Sequence, residues 1–333
     1  MEESLKAIRK HFSKLGGMFI LGTIIIYAVQ LIPVALVQVF KPEWLMDANI
    51  SLMISMLPMY LIGMPILIVL VKTVPAEKVE KRNMKAGHFV LAALMCFGLA
   101  YASNFIGTIL TTVIGMLKGG MVQNAIMNIA TSINVLFAVL FMVICAPLIE
   151  EYVFRKLIVD RTIKYGQGVA VLLSGLMFGL FHGNLNQFIY AFAIGCFLAF
   201  LYVKTGNLKI TIIIHMIFNF LGGVVSVKLL EMIDMERYME IVQSGMDMDA
   251  LMIYMSENAF GWICYMMFAL FIFATIITAL VLFIVSIVKN KFVFEQGQVA
   301  IPKGKRFRTV ILNVGMLLYC IFWIIVIIIQ LFA

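Results

Sequence analysis

The sequence predicts an all-α, polytopic transmembrane helix bundle of about nine spans, and three observations carry that expectation. Hydrophobic residues make up 63% of the 333 positions and charged residues 13%, against about 45–50% and about 25% in soluble domains. The mean hydropathy is +1.07. Apolar runs close to the bilayer-crossing length of about 17–25 residues fall near 18–40, 50–71, 90–116, 131–149, 168–183, 187–203, 210–227, 259–288 and 309–332.

Charge in the loops sets the direction of the runs. Before the first stand Lys6, Arg9, Lys10 and Lys14. That run exceeds a signal-peptide core of about 7–15 residues, and no small-residue cleavage site follows it, so it reads as a retained span with a cytoplasmic N-terminus. Counting onward, Lys78, Lys81 and Arg82, then Arg155, Lys156, Arg161 and Lys164, then Lys204 and Lys209, and finally Lys289, Lys291, Lys303, Lys305, Arg306 and Arg308 all fall on the side that the count makes cytoplasmic. The opposite loops are poor in basic residues. Segment 117–130 has only Lys118, 184–186 has no charge, and 228–257 is acidic. In that last loop Leu230, Ile233, Tyr238, Ile241, Leu251 and Tyr254 recur at roughly helical spacing, which predicts one or two amphipathic helices lying on the outer surface as a cap.

These readings exclude several classes. The net charge of +8 is loop charge that sets orientation, so membrane lipid is an expected partner and nucleic acid is not. The five cysteines lie singly in apolar runs, without the paired spacing of a zinc ribbon or a disulfide framework. There is no internal repeat and no soluble domain; the expected location is the cell membrane, crossed many times. The chain divides into N-terminal spans at 1–129, a core at 130–228, and the acidic external loop with the C-terminal spans at 229–333.

Ionisable residues inside a membrane are costly and point to function, and here they gather in the core. In LIEEYVFR, Glu151 and Arg155 are four apart with the acid first, the better orientation for an ion pair along one helix face. Glu150 points about 100° away and is left without that cation, as suits a general base in a low-dielectric setting. In MFGLFHGNLNQF, Phe178 and His182 share a face, and His182 is placed to hold a water beside Glu150. In IIIHMIFNFLGG, His215 and Asn219 also share a face, and both offer N–H donors to a developing oxyanion.

The series EExxxR (Glu150, Glu151, Arg155), FxxxH (Phe178, His182) and HxxxN (His215, Asn219), separated by apolar spans, resembles the CAAX protease and bacteriocin-processing (Abi) family of intramembrane endopeptidases. The resemblance covers about residues 130–228 and makes that segment the expected catalytic core. It implies that Glu150 and His182 activate a water for attack on a peptide carbonyl, that His215 and Asn219 stabilise the oxyanion, and that Glu151, Arg155 and Phe178 support them. No cofactor is expected on this reading. Glu150, His182 and His215 would also serve as a zinc set with an open fourth position, which leaves a metal-dependent variant as the alternative. The expected partner is a peptide or membrane-protein substrate in a bacterial plasma membrane. Two other classes compete: a non-catalytic immunity or scaffold protein, and a transporter with a polar site at mid-membrane.

By span count, Glu150 falls near the cytoplasmic end of its helix and His182 near the outer side, a separation of roughly 20 Å at about 1.5 Å per residue. They meet only if the fourth helix runs on past Glu150 or the fifth is tilted and short. Pro147 is a plausible site for a kink.

Overall fold

The computed structural model describes residues 4–122 and 125–332, so positions 123 and 124 of the loop read at 117–130 lie outside the described residues. The chain forms α1 (Leu5–Phe40), α2 (Ala48–Lys72), α3 (Ala86–Lys118), α4 (Ala125–Ser132), α5 (Val135–Tyr165), α6 (Gln167–Phe181), α7 (Leu185–Thr205), α8 (Leu208–Met232), α9 (Met235–Gln243), α10 (Met248–Glu257), α11 (Ala259–Val288), α12 (Arg306–Val310) and α13 (Val314–Phe332). Among the described residues, 8 of these helices are long and apolar enough to cross a bilayer. With α6 as a ninth, shorter apolar helix, this is a multi-pass membrane bundle. The acidic loop forms α9 and α10, which bury Ile241 and Tyr254.

Helix starts follow local chemistry. The side chains of Ser4, Asp47, Asn134, Asn184 and Asn207 each accept a backbone N–H from the first turn of the helix that follows, replacing a partner which the helix itself cannot supply.

Two helix lengths bear on the site. The fourth run, expected to end at 149, continues without a break as α5 for 31 residues, because Glu151 and Arg155 neutralise one another inside the bundle and leave no reason for the helix to stop. The fifth is only 15 residues long, about 22 Å, short of the roughly 30 Å of hydrocarbon it would have to cross. Both lengths bring Glu150 and His182 towards one depth, as the sequence reading required if the two were to meet.

The interior of the core is a close three-helix contact in which α7 packs against α6 and α3. Small residues permit it: a Cβ at Gly175 would lie 2.3 Å from Cys196 Sγ, and one at Gly179 would lie 3.0 Å from Phe192 Cβ. The outward faces are apolar and meet lipid. Helix α11 is buried over only 11% of its most apolar window.

Four helical segments are wound more loosely, as π-helix: Met59–Gly63, Ala138–Cys145, Glu151–Leu157 and Leu221–Val225. Such bulges free backbone carbonyls and recur at functional sites. Three of them line one interior space, and the fourth, Glu151–Leu157, begins directly after Glu150, which lines it too. The basic loops also converge. Glu77 N–H donates to Asp160 O, Arg82 N–H to Thr205 O, and Val299 N–H to Lys164 O, so the stretches read as one membrane side lie together at one end of the bundle.

Candidate active site

Glu150 and Glu151 stand midway along α5, and their divergence around the helix gives them different surroundings. The Glu151 side chain is fully buried, whereas 20% of the Glu150 side chain is exposed, into a cavity. One turn on, the equally buried Arg155 places Nη2 3.0 Å from Glu151 Oε1. That same oxygen accepts a hydrogen bond from His215 Nδ1 at 2.9 Å. The other ring nitrogen, His215 Nε2, is 3.7 Å from Glu150 Oε2. The Glu151–Arg155 pair is the one the spacing predicts; beyond it, Glu151 also holds a histidine from α8, and the same histidine is a neighbour of Glu150. The i,i+4 spacing gave the ion pair but carries no information about a helix 64 residues away.

Phe178 is the plate beneath this cluster. Its ring lies 4.2 Å from Arg155 Cζ and meets the rings of His182 and His215 edge-on, at 4.7 and 5.9 Å. A desolvated cation over a ring is worth about 2 kcal/mol, so Phe178 holds the guanidinium and sets the angle of both imidazoles.

His182 is oriented by a helix end. Helix α6 stops at Phe181, and the His182 N–H turns to Gly179 O and Leu180 O, which leaves Phe178 O without the N–H it would have in a continuing helix. The imidazole takes its place, Nδ1–H donating to Phe178 O at 2.8 Å. A carbonyl only accepts, so Nε2 carries the lone pair. Gly183, at φ +66, then turns the chain into α7 through a conformation that disfavours a Cβ.

Asn219 is oriented by a proline. In the π-wound stretch of α5, Ala146 N–H bonds to Phe141 O, and the next residue, Pro147, has no N–H to offer Met142 O. Asn219 Nδ2 donates to that carbonyl at 2.8 Å. One of its two amide hydrogens is thereby used and one remains. The role of Pro147 is thus to expose a carbonyl rather than to stop the helix.

Glu150, His182, His215 and Asn219 all line one cavity of about 480 Å³. Its apolar wall includes Met56, Met59, Phe141 and Phe218; its polar wall includes Tyr60, Tyr101, Asn104, Asn186, Gln187 and Tyr190. None of these polar residues entered the sequence reading. Asn104, Asn186 and Gln187 could have been found as amides within or at the edge of apolar runs. The tyrosines carry no such signal. The Tyr101 hydroxyl is buried without a hydrogen-bond partner among the described residues.

Among the described residues no three His, Cys, Asp or Glu side chains gather at a distance from which they could share a metal ion. As arranged, Glu150, His182 and His215 do not form such a set.

Adjacent glutamates, two histidines and an asparagine meeting on α5, α6 and α8 around one interior cavity define a class: a polytopic helical membrane protein with a polar centre enclosed by its spans. Comparison with known proteins narrows the class. Residues 132–221, which hold every residue of the three motifs, match the family described as Type II CAAX prenyl endopeptidase Rce1-like. Two relatives agree. YdiL of Bacillus subtilis, provisionally named a membrane peptidase, is 27% identical over 157 residues, 46% of this chain and 64% of its own length. MroQ of Staphylococcus aureus, named a membrane-embedded CAAX protease, is 36% identical over 99 residues, 28% of this chain and 39% of its own. The chain thus spans less than two thirds of either relative. No solved structure matches it.

Proposed function

We propose that this chain is an intramembrane endopeptidase of a bacterial cell membrane, hydrolysing a peptide bond with a water activated by Glu150. The observation that carries the proposal is the convergence of Glu150, His182, His215 and Asn219 on one cavity from three helices. His182, His215 and Asn219 are each held by a hydrogen bond, and Glu150 stands beside His215 with part of its side chain exposed to that space.

In this mechanism a water donates one hydrogen to His182 Nε2, whose tautomer is set by Phe178 O, and the other to the Glu150 carboxylate. Glu150 takes its proton as the water oxygen attacks the scissile carbonyl carbon, and the carbonyl electron pair moves onto oxygen. His215 Nε2–H and the second Asn219 amide hydrogen donate to that oxyanion. Nδ1 of the same ring stays on the Glu151 carboxylate, which holds the imidazole in place. The tetrahedral intermediate then collapses, and Glu150 delivers its proton to the departing amine nitrogen. No covalent enzyme intermediate forms and no metal enters a step.

The substrate is a peptide or membrane protein entering the cavity beside its apolar wall. The meeting of the basic loops at one end supports a cytoplasmic position for that end and for the N-terminus. The test is cleavage of a library of membrane-anchored peptides by the purified protein and by Glu150→Gln and His182→Ala, with and without a chelator. Loss of cleavage by about 10²-fold or more in both variants, with chelator inert, is expected. Zinc-restored chelator sensitivity would replace the mechanism with a metal-dependent one. If nothing were cut while the variants still complemented a deletion strain, a binding or immunity role would take its place.

A further inference from the structure

At the basic end of the bundle lies a second cavity, of about 630 Å³, formed where the first half of α6 meets the strap that joins α11 to α12. Its walls are apolar, with Leu172, Leu176 and Phe294 among them, and its rim carries Lys303 and Arg306. It shares no lining residue with the cavity that holds the glutamates and histidines.

The walls are held in place. Gln167 N–H donates to Glu295 O at 3.2 Å and Val299 N–H to Lys164 O at 2.9 Å, so the strap is fastened to the end of α5 and the start of α6, on both sides of Gly297. A Cβ at Gly297 would lie 2.2 Å from Lys164 O, a contact that only glycine permits. The carboxylate on the rim, Glu295, is 3.7 Å from Lys204 Nζ. The two cations of the rim are not so engaged. Lys303 and Arg306 form no ion pair among the described residues, and Arg306 uses only Nε, donating to Ile301 O at 3.2 Å. Its two terminal nitrogens remain for an acceptor.

The shortness of α6 explains the space. A helix of 15 residues stops short of the interface on at least one side, and at its basic end the gap is closed by a strap rather than by another turn of helix. The apolar surface left there is open to the bilayer: Leu172 is 60% exposed and Phe307 66%.

We propose that this cavity binds one anionic glycerophospholipid, its phosphate on Arg306 and Lys303 and an acyl chain along Leu172 and Leu176. The charge sign selects the headgroup, because a planar guanidinium with free N–H groups pairs with a phosphate in fork geometry. The apolar walls and their opening towards lipid select a molecule with a tail over a free anion. Basic pockets between membrane helices hold lipid headgroups on the same principle. Lipid occupancy here needs no peptidase chemistry and stands apart from the function proposed above.

The test is native mass spectrometry of the full chain, stripped of lipid in mild detergent and supplied with phosphatidylglycerol or with phosphatidylcholine of the same chain length. Wild type is expected to retain one phosphatidylglycerol at about tenfold lower concentration than phosphatidylcholine. The Lys303→Glu/Arg306→Glu variant should lose that preference, and Leu172→Asp should lose retention of both lipids. Lys78→Glu/Arg82→Glu, which reverses charge on another basic loop, should behave as wild type. Gel filtration of each variant establishes that it is folded. Equal retention of the two lipids by wild type, or an equal loss in the control variant, would overturn the site. Displacement by inorganic phosphate as effective as by phosphatidylglycerol would show an anion site without a tail.

Discussion

Helix α5 carries two buried charge clusters a turn or so apart, and they differ in what they leave over. Near mid-helix, Glu151 pairs with Arg155 and receives His215, yet Glu150 keeps an oxygen facing a cavity, and Arg155 Nε and Nη1 have no hydrogen-bond partner among the described residues. Towards the basic end the valences are closed. Asp160 accepts from Tyr202 Oη at 2.9 Å and from Lys156 Nζ at 2.8 Å, and Arg161 donates to Val71 O and Leu157 O. Both clusters use i,i+4 pairs on one helix. Only the first opens onto space a substrate could enter. Unspent hydrogen-bonding capacity beside a cavity separates a working cluster from a structural one, whereas charge and burial alone do not.

The largest expected effect sharpens that contrast. Glu150→Gln keeps the shape of the side chain and removes the base, and should lower peptide cleavage by about 10²–10⁴-fold without changing the thermal stability of the detergent-purified protein. A stability loss equal to that of the neighbouring pair would break the distinction between the two glutamates. Next, Arg155→Met strands the Glu151 carboxylate in the interior and should cost about 3–5 kcal/mol, read as a fall in thermal midpoint. The double variant Glu151→Met/Arg155→Met should recover most of that stability but not activity, because His215 has lost its anchor.

Asn219→Leu removes an oxyanion donor and should lower kcat by about 10²-fold. It also leaves Met142 O without its partner, so a modest loss of stability accompanies it. Tyr202→Phe, in the closed cluster, should cost only about 1 kcal/mol and leave cleavage at the wild-type rate. A large fall in kcat there would mean that the second cluster works in the reaction. Smallest of all, a chelator should leave the rate unchanged, measured on protein purified without added metal.

Much of this was legible in the sequence. The apolar runs gave the spans, and Glu150, Glu151, Arg155, Phe178, His182, His215 and Asn219 stood out because each is polar or aromatic at a helical interval within the core. Hydropathy alone did not give the extent of α5, although the need for Glu150 to meet His182 pointed to a helix that runs on. Hydropathy treats any charge as the edge of a span, yet Glu151 and Arg155 neutralise each other and let the helix continue to Tyr165. The amides and tyrosines of the opposite wall were missed because, although Tyr101 and Asn104, and Asn186 and Tyr190, stand about a helical turn apart, none carries a charge and the groups meet only across α2, α3 and α7.

What the sequence determined by itself is what local chemistry governs: where apolar runs form helices, which side chains cap them, and which pairs four apart share a face. The tertiary structure alone decided which of the two glutamates His215 would bond, which carbonyl Asn219 would meet, and that a histidine at a helix end would reach the depth of a glutamate at mid-helix. The physical reason is that bonds along one helix follow from a fixed period, whereas bonds between helices depend on how closely small residues such as Gly175 and Gly179 let them approach, and on where a proline or a helix end leaves a carbonyl to be satisfied.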